Sequence, residues 1–316
     1  TLGLGLRALV GSPGPFLALS MFALAGMATA NVLLPPLIKL HFPDRIGVMT
    51  AAYTTSLAIG LTASLTLTVP ITEATGTWRW GIGVWALVAV IAALPWLTLV
   101  AHDKHLAAQS HDVTLGQVAR TRLGVAMAVF FGLQSLQAYS VFGWFAQLWR
   151  DSGYSPVEAG VLVGLLAAVS IPLSLWLPAA AARAKDQRAI LVSVMACYPL
   201  GYVGLMLAPH SLGYVWAVLV GVGACTFPLI LTMIGLRSRT PSGTAALSGF
   251  TQSAGYLLAA AGPFTVGAIY DATGGWTAPL WFLLSLTVPQ LLVGLYVARP
   301  VFIEDELSLP SRPGAN

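Results

Sequence analysis

Charged residues are so sparse in this sequence that they cut it into long charge-free runs: 8–38, 46–72, 80–102, 123–149, 159–182, 189–236, 240–270 and 272–298. A helix needs about 20 mostly apolar residues to cross a bilayer. Each run fits one crossing except 189–236, which fits two around the turn signal Ala208-Pro209-His210-Ser211. The pattern predicts about nine spans. Asp, Glu, Lys and Arg make up only 8% of the chain, against about 25% in an average soluble domain. The hydrophobic fraction is 57%. A soluble domain of this length still exposes about a quarter of its unfolded-chain surface, too much to hide that composition. Soluble enzymes, disordered chains and nucleic-acid binders are therefore excluded. The two cysteines, Cys197 and Cys225, lie in apolar runs and read as small hydrophobes.

The loops set the orientation. With 39–45 on the cytoplasmic side, alternation puts 101–122, 183–188, 237–239 and the C-terminus there too. That side holds Lys39, Arg45, Lys104, Arg120, Arg122, Arg183, Lys185, Arg188, Arg237, Arg239, Arg299 and Arg312; the other holds Arg7, Arg79 and Arg150. The positive-inside bias predicts a multi-pass protein of the cytoplasmic (inner) membrane with a cytoplasmic C-terminus. It also accounts for the net charge of +4.

An internal repeat organises the spans. Ala74-Thr75-Gly76-Thr77-Trp78 matches Ala272-Thr273-Gly274-Gly275-Trp276 at an offset of 198. The same offset pairs Pro43 with Pro241, Lys39 with Arg237 and Thr50 with Ser248. Helix then aligns with helix and loop with loop, as a parallel repeat requires. The second copy holds six helices, starting near 123. The expected first copy would start before residue 1, so the sequence reads as beginning inside the third helix of a six-plus-six protein. On that reading 1–100 is an incomplete N-terminal half and 101–122 the cytoplasmic central loop. Residues 123–299 are then the C-terminal six-helix half and 300–316 a cytoplasmic tail. His102, His105 and His111 in the central loop read as solvated histidines, so no metal or cofactor is expected.

Two six-helix halves in parallel repeat resemble the major facilitator superfamily. Local motifs resemble its cyanate permease and 2-nitroimidazole transporter branch. They are Asn31-Val-Leu-Leu-Pro-Pro-Leu-Ile-Lys39 before Phe42-Pro43-Asp44-Arg45, Trp78-Arg79-Trp80 before Val84-Trp85, and Gly235-Leu-Arg-Ser-Arg-Thr-Pro241 before Gly249-Phe250-Thr251-Gln252-Ser253. The resemblance implies an all-α membrane protein of the major facilitator fold, with helices 1 and 2 and most of 3 missing. The Asn-Leu-Arg-Pro signature of that branch's first helix has no match here, so no residue inherits its anion contact.

Polar groups inside spans are costly and mark candidate sites. Gln134 and Gln137, with Trp144 two turns on, share one helical face. They read either as a grip on a small polar solute or as interhelical glue. Ser248, Gln252 and Tyr256 form a second stripe, and Thr50 and Thr54 match its first two positions at the repeat offset, with Tyr53 alongside. These residues read as cavity lining or as packing. Asn31 lies one turn before Pro35-Pro36, placed to cap freed carbonyls or to face the cavity. Pro228 and Pro263 are the candidate gating hinges. The loop carrying Arg183, Lys185, Asp186 and Arg188 reads as a latch or a plain cationic anchor. Gly213, Ala217 and Gly221, and Gly160 with Gly164, read as close-packing faces.

No Asp, Glu, Lys or Arg lies deep in a span, and no histidine lies mid-span. A membrane-embedded enzyme, which needs a nucleophile with its base or a ligand set there, is set aside. The expected function is a secondary active transporter, a permease moving a small polar or anionic solute by alternating access, as in cyanate transporters. A drug or xenobiotic exporter of the same superfamily, or a non-transporting truncated fragment, are the alternatives. The expected partners are the solute, a coupling proton and the lipid bilayer; no nucleic acid is expected, and the chain acts as a monomer.

Overall fold

The computed structural model describes residues 1–102 and 113–307, and the histidines 105 and 111 of the central loop lie outside them. Among the described residues all regular structure is helical. The order is α1 (Leu2–Arg7), α2 (Pro13–His41), a 3-10 turn (Pro43–Arg45), α3 (Ile46–Thr75), α4 (Trp78–His102), α5 (Leu115–Val118), α6 (Arg122–Asp151), α7 (Pro156–Ala168) and α8 (Ser170–Arg183). It continues with α9 (Arg188–Met195), α10 (Cys197–Leu207), α11 (Gly213–Ala224), α12 (Thr226–Leu236), α13 (Pro241–Thr273), α14 (Thr277–Val297) and α15 (Ile303–Glu306).

Among the described residues, seven segments are long and apolar enough to cross a membrane: Pro13–His41, Pro43–Thr68, Arg122–Asp151, Pro156–Arg183, Arg188–Leu207, Gly213–Leu236 and Thr277–Val297. Two of the nine expected spans are not among them. In α4 the described side chains end at Leu94, and the apolar stretch over them is Trp78–Leu94. Helix α13 is long enough, at 33 residues. Its Gly, Ser, Thr, Gln and Tyr residues dilute the apolar signal, and they include the stripe singled out as a candidate site.

Three of the seven spans are broken midway, and each break sits three residues before a proline. Helix α7 yields to α8 at Val169, before Pro172; α9 yields to α10 at Ala196, before Pro199; α11 yields to α12 at Cys225, before Pro228. Proline has no N–H to give the carbonyl four residues back, and its ring crowds that carbonyl. The bend is gentle, because all three junction residues keep right-handed helical angles. Of the two proposed hinges, Pro228 therefore sits at a helix break. Pro263 lies inside an unbroken α13.

The chain divides into two compact units, Thr1–Leu34 with Gly60–His111, and Pro35–Ile59 with Asp112–Asn316. In the first, α1 packs on α4, where a Cβ on Gly5 would sit 3.7 Å from the Ala86 methyl. Trp85 Nε1 donates to Thr68 Oγ1 at 3.0 Å. In the second, α6 and α13 form the most extensive helix pair, along a seam set by glycines. A Cβ on Gly255 would fall 2.6 Å from the Phe131 ring and 3.1 Å from the Ala128 carbonyl. On Gly262 it would meet Leu136 at 2.7 Å, and on Gly267 the Trp144 ring at 2.7 Å. Such contact replaces the hydrophobic drive that lipid cannot supply between helices. Gly221 plays the same part against the Leu166 backbone, but a Cβ on Gly160 would meet nothing within 4 Å among the described residues.

Both copies of the Ala-Thr-Gly turn adopt one geometry. Gly76 and Gly274 are left-handed, with φ of 69° and 66°. Thr75 Oγ1 donates to the Ile71 carbonyl and Thr273 Oγ1 to the Ile269 carbonyl, both at 2.7 Å. Pro43 opens the 3-10 turn ahead of α3, and Pro241 opens α13.

Candidate functional site

The two helix α6 amides lie in a closed network. Gln134 Nε2 donates to the Tyr198 hydroxyl at 3.1 Å and to the Ala224 carbonyl at 3.0 Å. Gln134 Oε1 accepts from Gln290 Nε2 at 2.7 Å. Gln137 Nε2 donates to Gln290 Oε1, and Gln137 Oε1 accepts from the Tyr202 hydroxyl at 2.7 Å. All three glutamines and both tyrosines are fully buried. The Ala224 carbonyl is the one Pro228 leaves without its helical donor, so Gln134 repairs the bond that the proline removes. Each amide oxygen and nitrogen in it has a partner on another helix, the bonding that interhelical glue requires.

Trp144 stands apart from that network. Its Nε1 donates to the Pro263 carbonyl at 2.9 Å, and its ring packs against Trp276. It thus ties α6 to α13 at the second proposed hinge. Thr54 Oγ1 donates to the Thr50 carbonyl at 2.8 Å and lies 3.5 Å from the Ser174 carbonyl, which Pro178 leaves without its helical donor. Asn31 is half-buried in α2 and belongs to the other compact unit.

The α13 stripe has different surroundings. Gln252 Nε2 donates to Ser248 Oγ at 3.0 Å, and both residues are fully buried. One turn on, Tyr256 meets the Phe131 ring edge-on at 5.0 Å and stacks on Tyr139 at 6.3 Å. Phe227 of α12 lies 5.7 Å from Phe131. Tyr53 of α3, with Tyr256 and Phe227, packs against the same core. Here polar atoms remain unmet: the Tyr53 hydroxyl and Thr251 Oγ1 are buried without a hydrogen-bond partner among the described residues. A buried hydroxyl without a partner costs about 1–3 kcal/mol, and such atoms mark places where a further polar group is accommodated.

Sequence reasoning missed Gln290, Tyr198, Tyr202, Tyr139 and Phe227. Gln290 was findable by the rule that flagged Gln134, an amide inside an apolar span. The tyrosines carry no such signal, because tyrosine in a membrane helix is ordinary at an interface.

A second polar assembly joins loop to tail. Arg237, 3% exposed, donates to the Val297 and Ala298 carbonyls at 2.7 and 3.0 Å and to Gln187 Oε1. Burial pulls its guanidinium down to about 10, against the opposing pull of Asp186. Glu304 Oε1 accepts from Ser238 Oγ at 2.7 Å, from the Arg239 and Thr240 N–H groups at 2.9 and 3.1 Å, and from Thr240 Oγ1 at 3.0 Å. Burial raises the Glu304 carboxyl, but these donors outweigh it and hold it below the usual 4.5. Asp305 pairs with Arg239. In the proposed latch, Asp186 bonds its neighbour Arg188 at 2.8 Å. The loop's inward anchor is Gln187, bonded to the Ala181 and Ala184 carbonyls.

The wider comparisons agree with this architecture. The chain is 35% identical over 281 residues to an uncharacterized transporter of Bacillus subtilis (strain 168), covering 88% of this chain and 70% of that protein. It is 35% identical over 304 residues to the 2-nitroimidazole transporter of Escherichia coli (strain K12), covering 94% and 76%. It is 26% identical over 271 residues to the cyanate transport protein of the same organism, covering 85% and 69%. The profile of the Major Facilitator Superfamily matches residues 1–263. With its apolar spans and these transporter relatives, the chain is a multi-pass membrane protein, a transporter rather than an enzyme, and it belongs to the major facilitator superfamily.

Proposed function

We propose that this protein is a secondary active transporter that moves a small polar or anionic solute across the cytoplasmic membrane by alternating access. The solute surface is the face formed by Gln252, Tyr256, Thr251, Tyr139 and Tyr53. The observation that carries the reading is the pair of buried, unmet hydroxyls on Tyr53 and Thr251, in helices that also supply the aromatic group. Hydroxyl and amide donors bind a compact anion without a buried counter-charge, and ring faces suit a planar solute. The similarity to a 2-nitroimidazole transporter and a cyanate transport protein supports the solute class. The basic loops face the cytoplasm by the positive-inside rule, which puts the C-terminus there and makes α4 and α13 spans as well. Pro228 and Pro263 bend α12 and α13 as access alternates. Thr54 of α3 and Asn31 of α2 are further solute contacts on this reading. Gln134, Gln137 and Trp144 hold the C-terminal wall together behind the solute surface.

The test is uptake into proteoliposomes of cyanate and of 2-nitroimidazole, with a hydrophobic cationic drug as comparison. The two small solutes are expected to accumulate. Gln252→Ala and Tyr256→Ala are expected to lower uptake at least tenfold at an unchanged level of folded protein. Wild-type uptake by both variants overturns the α13 surface; accumulation of the drug alone turns the assignment to an exporter.

A further inference from the structure

Outside the solute surface, a concavity lies on the outer side of the α6–α14 pair. It is an open groove of about 650 Å3, walled by Val125, Ala126 and Val129 of α6 and Leu292 and Val293 of α14, with Arg120, Arg122 and Tyr296 at one end. Val125 and Leu292 are 45% and 63% exposed, which in a membrane protein means exposed to lipid. Arg120 and Arg122 are exposed and make no ion pair among the described residues. The nearby carboxylate is already engaged: Glu306 accepts from the Tyr296 hydroxyl at 2.9 Å and from the Leu123 N–H at 3.1 Å. Arg122 and Arg299 both act electrostatically on the Tyr296 hydroxyl, so a third cation stands at the same end.

We propose that this groove is a binding site for an anionic phospholipid, with the phosphate between Arg120 and Arg122 and one acyl chain along Val125, Val129 and Leu292. The charges and the apolar trough are in register along the two helices, with the cations at the span end and the trough running into the hydrocarbon. Basic pockets between membrane helices select anionic headgroups in this way. A second groove of about 440 Å3, lined by Val192, Met195, Trp281, Leu284 and Val288 among others, has no charged residue in its lining. It offers an acyl chain the same trough and no headgroup selection, so lipid preference resides in the α6–α14 groove. The proposal needs only the membrane setting, not the solute assignment.

The experiment titrates the purified full chain in detergent with dioleoyl-phosphatidylglycerol or dioleoyl-phosphatidylcholine, counting bound lipid by native mass spectrometry and following the thermal midpoint. Phosphatidylglycerol is expected to bind more tightly and to raise the midpoint more. Arg120→Gln with Arg122→Gln is expected to weaken its binding by about fivefold per arginine, from the usual contribution of a cation near an anionic surface. Val129→Trp, which fills the trough and leaves the charges, is expected to weaken it as well. Arg183→Gln with Lys185→Gln, which removes an equal charge elsewhere, is expected to leave it unchanged. Equal binding of the two lipids, wild-type affinity in the Arg120/Arg122 variant, or equal loss in the Arg183/Lys185 variant overturns the site. Full displacement of the lipid by millimolar inorganic phosphate overturns the lipid as occupant.

Discussion

Helices α3 and α13 stand at matching positions of the 198-residue offset, and they agree at their ends and differ in their middles. Both begin at a proline-led turn and both end in a threonine bonded four residues back with a left-handed glycine after it. Between those ends, Thr54 is satisfied by its own backbone, whereas Gln252 at the matching position bonds the Ser248 side chain. Leu57 is 42% exposed, whereas its counterpart Gly255 lies against the Phe131 ring. Reversing the chain outside the bilayer is a local problem, solved the same way twice by Thr and Gly. The middle of a span answers to its neighbours, and between the matched ends only the α13 copy carries a run of close-packed glycines and an amide bonded to a side-chain hydroxyl.

The sharpest way to break the comparison is to make the second copy like the first at the seam. Gly255→Leu puts a branched side chain where even a Cβ meets Phe131 at 2.6 Å. Overpacking a tight core costs about 1–3 kcal/mol, occasionally more, and the rigid neighbours here place this change at or above the top of that range. The expected result is loss of monodisperse protein on size exclusion. Leu57→Gly, the reverse swap, is expected to leave expression and elution near wild type. Equal behaviour of the two variants would remove the seam as the distinguishing feature of α13.

Next in size is Gln290→Ala. The matching residue of the first copy is already Ala92, exposed on α4. In α14 the substitution strands Gln134 Oε1 and Gln137 Nε2 inside the protein. Each unmet group costs about 1–3 kcal/mol, and a drop of the thermal midpoint with retained solute binding is the expected reading. Unchanged stability together with lost uptake would instead return the amides to the solute path.

This network also shows where the sequence was legible. Span positions, the turn after α3 and its copy after α13 follow from hydropathy and from Gly in a left-handed turn, which are local properties. Gln134 and Gln137 were visible as polar residues in an apolar helix, but their partners were not. Which amide bonds which depends on α10 and α14 arriving from about 60 and 150 residues away, and no periodicity encodes that. The breaks near Pro172, Pro199 and Pro228 were half legible. A proline predicts a lost bond, but only the packed structure shows that Gln134 repairs the one at Ala224. The C-terminal strap left no local signal, because Glu304 is one acid among three in a short tail segment.

That strap serves the second copy alone and supplies the third test. Glu304→Gln keeps the shape and removes the charge that four donors address. Charge-assisted hydrogen bonds exceed neutral ones by about 1 kcal/mol, so a modest fall in thermal midpoint is expected at neutral pH. The pH dependence follows from the sign of the shift. The folded carboxyl titrates below its usual 4.5, so its contribution is fully present above that value and is lost as pH falls through the lower folded value. The gap between wild type and Glu304→Gln should therefore close on acidification. A gap that does not narrow on acidification would place the effect in packing rather than charge.

The smallest effect tests the part that the two copies share. Gly76→Ala and Gly274→Ala each place a Cβ on a residue with φ near +70°, which costs an L-residue about 1–2 kcal/mol. Neither glycine has an atom within 4 Å of that Cβ, so crowding adds nothing. The two variants should lower the thermal midpoint by the same small amount, and the double variant should lower it by the sum, since the turns share no partner. Unequal losses would mean that one turn bears on packing beyond its own four residues. The repeat would then have diverged at its ends as well as in its middle.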